Sequence, residues 1–141
     1  MKTIIHFFRI HSRPGMVYEA LATERGLSGW WTTLVTIQPA AQEVVHFRFA
    51  GDFNPDMQVT KSIQGQRVEW KCIAGHNNWK DNTFSFALQN IEGETGLLFT
   101  QHYASELSDE VYGSYNFNWG WYLASLKEYC ETGKGKPFQR H

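Results

Sequence analysis

The chain has 141 residues, a length that predicts one domain spanning 1–141 and able to bury about 70% of its unfolded surface without disulfides or metals. A formal net charge of −1 excludes the basic footprint of a general nucleic-acid binder, and a charged content of 19% excludes a charge-rich disordered chain. The aromatic content is the unusual quantity: six Trp, six Tyr and ten Phe make 16% of the residues.

Lys2 to Ile10, rich in Ile and Phe, reads as a first strand. Ser12-Arg13-Pro14 opens a helix, since proline suits a first turn, and Met16, Val17, Ala20 and Leu21 recur at helical spacing. Thr23 caps a second, short helix with Glu24 near its positive end. Gly26 and Gly29 keep it short, and it runs into Trp30-Trp31-Thr32. Thr33 to Gln38 is a β-type run stopped by Pro39. Glu43 to Ala50 alternates, with Val45, Phe47 and Phe49 on one side and His46 and Arg48 on the other. After the turn Asn54-Pro55-Asp56, Met57, Val59 and Ile63 point one way. Gln64-Gly65-Gln66 forms a hairpin connection. Arg67 to Ala74 sets Val68, Trp70 and Cys72 opposite Arg67, Glu69 and Lys71, as in a half-solvated antiparallel strand. Past the loop Gly75 to Asn78 and Trp79, the residues Phe84, Phe86 and Leu88 share a face. Glu92-Gly93-Glu94 then turns the chain into a last strand, Gly96 to Tyr103.

Ser108, followed by Asp109 and Glu110, caps a helix that runs to about Thr132, with Gly133 closing it and Pro137 beyond. Val111, Tyr115, Trp119, Tyr122, Leu126 and Tyr129 form one apolar stripe. Phe117, Trp121 and Ala124 form a second ridge on the opposite side, which predicts that the sheet covers one side and something else the other. Two dozen residues span roughly 36 Å. The element order β-α-α-β6-α, with short turns between strands, predicts an α+β helix-grip fold: a curved antiparallel sheet wrapped around a long C-terminal helix.

No apolar run reaches the 18 or so residues of a membrane span. The opening Met1 to Arg9 is interrupted by His6 and Arg9 and lacks the cleavage site of a secretory signal. Cys72 and Cys130 form no CxxC pair. They are expected to be reduced, small apolar residues in a cytoplasmic protein.

Three groups of residues carry a family likeness: Val17-Tyr18-Glu19-Ala20-Leu21 with Gly26-Leu27-Ser28-Gly29-Trp30-Trp31-Thr32; Val68-Glu69-Trp70; and Gly120-Trp121-Tyr122-Leu123-Ala124-Ser125-Leu126-Lys127 with Gly133-Lys134-Gly135-Lys136-Pro137. In this order they resemble the START-like (SRPBCC) superfamily, and within it the branch of heat-shock-protein-90 ATPase activator homologues. One departure is the strand ending Thr100-Gln101-His102, where the family commonly shows Thr-His. The resemblance implies an elongated pocket between sheet and terminal helix that takes varied hydrophobic ligands. A minority of such proteins are cyclases, dehydratases or hydrolases. Branch members are mostly small cytoplasmic proteins without an assigned reaction. The true co-chaperones usually carry an additional domain, which is not expected within 141 residues.

The residues themselves point to a pocket as well. Phe47, Phe49, Trp70, Phe84 and Phe86 share an expected inward face with Tyr115, Trp119 and Tyr122. Buried Trp and Tyr need partners for their N–H and O–H groups, and such groups converging between a sheet and a helix suit a small-molecule site. One of Trp30 and Trp31 anchors a corner of the fold; for the other, gating of the pocket and anchoring are equally open, and Trp30 is taken as the ligand-facing member. His6, His11, His46, His76, His102 and His141 show no metal-ligand spacing, so no metal and no cofactor is expected. His102, at a strand end, is the candidate acid or base and a candidate ligand contact. No carboxylate pair, G-x-S-x-G or Walker spacing is present, and Lys134, Lys136 and Arg140 read as a solvated tail. The first reading is therefore a cytoplasmic module binding a small hydrophobic or aromatic molecule. The alternatives are an enzyme of the cyclase, dehydratase or hydrolase kind using His102 or a pocket Tyr, and a chaperone-associated stress protein, whose partner no sequence feature supports. Apolar residues on the outer sheet face would support a homodimer.

Overall fold

The structure is a computed structural model that describes residues 2–39 and 41–139; Arg140 and His141 lie outside the described residues. In chain order the elements are β1 (Thr3–Ile10), α1 (Pro14–Ala22), α2 (Glu24–Trp30), β2 (Leu34–Gln38), β3 (Val44–Arg48), β4 (Asp56–Ile63), β5 (Arg67–Ala74), β6 (Thr83–Ile91), β7 (Glu94–His102) and α3 (Asp109–Thr132).

The strands follow side-chain alternation. Val45 and Phe47, Val68, Trp70 and Cys72, Phe84 and Phe86, and Leu97, Phe99 and Gln101 are all buried, with their sequence neighbours more exposed. The seven strands pair antiparallel throughout in the order β1-β7-β6-β5-β4-β3-β2. The first and last strands are thus neighbours, and α1 and α2 carry the chain from one sheet edge to the other. The expected face sharing of Met57, Val59 and Ile63 fails at Ile63, which is 41% exposed. Register shifts at Asp56/Met57 and Val59/Lys61 break the alternation in β4.

The helix ends match the capping logic. Thr23 Oγ1 accepts from Gly26 N at 3.0 Å and Ser108 Oγ from Val111 N at 3.2 Å. Gly133, at φ +86, takes the left-handed conformation that ends α3, and its N–H donates to Tyr129 O at 2.8 Å.

α3 lies along the inner face and ties down β1. The Tyr112 hydroxyl donates to Thr3 O at 2.8 Å and Lys127 Nζ to Arg9 O at 2.9 Å. Fifteen helical residues and six strand residues both span roughly 20 Å, so helix and strand run side by side. Ser125 Oγ donates to Trp30 O at 2.8 Å, and the tail returns to hydrogen-bond on both sides of Thr32 (Thr33 N to Phe138 O, Phe138 N to Trp31 O). The buried stripe of α3 is Trp119, Leu123, Ser125 and Leu126, while Val111 is 37% exposed. The second ridge is open: Phe117 and Trp121 are 76% and 55% exposed, and Lys136 Nζ, 5.9 Å from the Trp121 ring, is not the cover that the sequence predicted.

Candidate functional site

A cavity of about 280 Å³ opens between α3 and the loops at one end of the sheet. Four of its walls come from one face of α3, where Tyr115, Asn118, Trp119 and Tyr122 follow at helical steps. Trp31, at the C-terminal cap of α2, supplies the floor. It is held close to β3 because Thr32 Oγ1 donates to Arg48 O at 2.7 Å. Phe49 and Phe53 come from the loop after β3, and Trp79 from the loop between β5 and β6. That last loop is organised by the fully buried Asn82, whose N–H donates to Trp79 O and whose Oδ1 accepts from Ala104 N at 2.8 Å.

The rings form a continuous array. Trp31 lies 5.1 Å from Trp119 and 6.2 Å from Trp79 between ring centroids, in near-parallel stacks, and Trp79 and Trp119 are tilted by only 6° at 5.9 Å. Phe53 meets Trp79 edge-on at 4.8 Å. Both geometries are those favoured by the ring quadrupole. Two polar tips of the lining are fixed: Trp119 Nε1 donates to Gln101 Oε1 at 2.7 Å, and Tyr115 Oη accepts from Asn78 Nδ2 at 3.1 Å. Behind the wall, Trp79 Nε1, Gln101 Nε2 and Tyr103 Oη are buried with no partner in full hydrogen-bonding geometry. Burial pushes the Tyr103 and Tyr122 phenols above their ordinary range, so both stay neutral near pH 7. Among the described lining residues none carries a carboxylate, imidazole or amine.

Of the residues expected from sequence, the structure brings Phe49, Tyr115, Trp119 and Tyr122 together around this cavity. Phe47, Trp70, Phe84 and Phe86 are fully buried in the packed core behind it. Trp30, taken from sequence as the ligand-facing member of its pair, is also in that core. It is fully buried and its Nε1 donates to Ala20 O at 2.8 Å, while Trp31 lines the cavity. His102 lies on the outer sheet face, exposed, with Nδ1 3.1 Å from Thr3 Oγ1. Gln101 takes the inward place in β7, as alternation demands. Phe53, Trp79 and Asn118 were missed. The two aromatics sit in loops, where no periodicity reports facing; Asn118 was findable as the position three after Tyr115.

Neither cysteine belongs to the cavity. Burial is the main cause pushing Cys72 up to about 11 and Cys130 up to about 12. An unfolded thiol ionises near pH 9, so the stabilising contribution of these neutral thiols is full below that pH and drains away as pH rises toward 11–12. At pH 8 the folded chain is expected to leave the buried Cys72 unreacted with a disulfide reagent and the half-buried Cys130 slow to react, and the chain in denaturant to react at two. Fast native labelling of Cys72 contradicts its burial.

Among the described residues no helix is long and apolar enough to cross a membrane, and no three His, Cys, Asp or Glu side chains are placed to hold a metal ion. No family model and no curated protein matches the chain. Solved structures do. The Aha1 dimer from Colwellia psychrerythraea is 34% identical, with a TM-score of 0.82 over 96% of this chain and 100% of that one. Protein MLL2253 from Mesorhizobium loti (15% identical, TM-score 0.77, 90% and 95% covered) and protein CV1439 from Chromobacterium violaceum (15%, 0.71, 93% and 99%) share the fold. With the helix-grip architecture and the ordered motifs already described, the first of these similarities settles the family: the chain belongs to the START-like superfamily, in the branch of heat-shock-protein-90 ATPase activator homologues.

Proposed function

We propose that the chain is a single ligand-binding domain, 1–141, that works in the cytoplasm and holds a small, uncharged, largely apolar molecule in the aromatic cavity. The observation that carries this reading is a cavity of about 280 Å³ walled by Trp31, Phe49, Phe53, Trp79, Tyr115, Trp119 and Tyr122, with Asn118 as its one amide. A charge placed there would lose its hydration with no ion to pair with, so the cavity selects neutral ligands. Affinity comes from buried apolar area at about 25 cal/mol per Å², less the cost of ordering. The hydroxyls of Tyr115 and Tyr122 and the Asn118 amide orient the ligand's polar atom. The lining offers no group that changes charge near neutrality, which favours binding over acid–base chemistry.

The deciding experiment is native mass spectrometry of the chain purified from its own host. A co-purifying small molecule supports the reading and identifies the ligand class; a chain that neither carries nor takes up any apolar compound counts against it. The captured compound then serves in fluorescence titrations. Trp31→Phe is expected to remove much of the quenching and Trp30→Phe little of it, because only Trp31 lines the cavity. Tyr122→Ala is expected to weaken binding about tenfold, the worth of roughly 1.4 kcal/mol of lost wall contact. Equal quenching changes at the two tryptophans would refute the placement of the ligand.

The relative from Colwellia psychrerythraea is a dimer. This supports the same state here, with a second copy of the chain as the protein partner.

A further inference from the structure

We infer that two copies meet through the open ridge of α3, packed antiparallel about a two-fold axis near Trp119. The inference rests on the self-association reading above and adds the surface. Val111 to Leu126 contains no charged residue, yet its outward face is exposed, with Ser114, Phe117, Trp121 and Ala124 along it. A solvent-facing helix carries charge on that side; this one presents two large aromatics one turn apart between small residues. Phe117 is 76% and Trp121 55% exposed, whereas the other five tryptophans are at most 3% exposed.

The ridge is self-complementary. Phe117 and Trp121 are equally spaced about residue 119, so the two-fold axis sets each Phe117 on the partner's Trp121, and Ser114 opposite the partner's Ala124. The small residues let the helices approach closely. Charge lies only beyond that stretch: Asp109, paired with Lys2 at 2.9 Å, and Glu110 precede it, and Lys127 and Glu131, paired at 2.6 Å, with Glu128, Lys134 and Lys136, follow it. Lys136 folds back over Trp121 at 5.9 Å and lies 4.0 Å from Glu128, which it neutralises. That pairing lowers the cost of the antiparallel register, in which Glu110 faces Glu128 of the partner subunit. The uncharged stretch is about 24 Å long, so the contact is one helix face against its copy. The dimer is expected to dissociate on dilution.

The test is sedimentation of the full chain from about 1 µM to about 0.5 mM, comparing wild type with Phe117→Glu, Trp121→Glu and Leu98→Glu. Leu98, 40% exposed, represents the apolar patch on the outer sheet face. The two α3 substitutions are expected to raise the dimer dissociation constant at least tenfold and Leu98→Glu to leave it unchanged. The wild-type chain gives a readout that needs no variant: iodide quenching of Trp121 fluorescence falls as concentration rises. A dimer that survives both α3 substitutions and is lost with Leu98→Glu overturns this surface while leaving self-association intact. A wild type that stays monomeric throughout overturns both.

Discussion

Replacing Trp31 by Ala is expected to cost about 3–5 kcal/mol of stability and to lower Tm by roughly 10–15 °C for a chain of this size. The side chain is 2% exposed and meets six other aromatic rings. Its ring centroid lies 4.4 Å from Phe47, 5.1 Å from Trp119, 5.2 Å from Phe49 and 5.9 Å from both Trp30 and Trp70. These partners come from α2, β3 and the loop after it, β5 and α3, elements held by the sheet ladder and by the helices' own hydrogen bonds, so the gap cannot collapse freely around an alanine. The void left behind opens into the cavity, which enlarges as stability falls. Trp31→Phe keeps a ring at the centre and is expected to recover more than half of the loss. Urea unfolding at 25 °C decides: a loss below about 1 kcal/mol for Trp31→Ala would mean that these rings pack independently of one another.

Gly75→Ala is the second large effect, expected at about 2–6 kcal/mol from backbone strain and overpacking together. Gly75 has φ +118, and an added Cβ would lie 2.2 Å from Asn54 O and 2.6 Å from both Asn54 C and Pro55 Cα. All three are backbone atoms, so no side chain can swing aside. The loop they belong to is itself pinned, with Phe49 N donating to Asn54 Oδ1 at 3.1 Å and Phe47 N to Pro55 O at 3.0 Å. Pushing it away displaces Phe49 and Phe53, so ligand affinity falls with stability. Gly51→Ala in the same loop is the control. It has φ +69 with nothing within 4 Å of the added carbon, and only the left-handed conformation is penalised, by about 1 kcal/mol. Equal losses for the two variants would show that the Gly75 contact yields freely.

Where burial repeats with the backbone period, the sequence was informative. The alternation in Arg67 to Ala74 and the caps at Thr23, Ser108 and Gly133 are all found in place. The face of α3 that lines the cavity was legible for the same reason, through Tyr115, Trp119 and Tyr122. Periodicity reports a face but not a depth. Phe47, Trp70, Phe84 and Phe86 share the inner face with Phe49, and only the path of α3 decides which rings meet solvent and which are sealed behind others. The Trp30/Trp31 choice turned on one helical step at the end of α2, where the chain leaves helical geometry. The two-sided apolarity of α3 was legible in the sequence; what covers its second ridge was not, because periodicity marks a face without naming its partner.

The pairing of β1 with β7, from Thr3 opposite His102 to Ile10 opposite Thr95, also sets an order in time. About 90 residues separate Phe7 from its neighbour Leu98, so at 5–20 residues per second the ribosome needs roughly 5–20 s to supply the partner. For that interval β1 lacks its β7 partner, with Ile5 and Phe7 among its side chains. Closing so long a loop is the slow kind of step in folding. Until β7 arrives, the edge of β1 that it will cover stays open to other molecules.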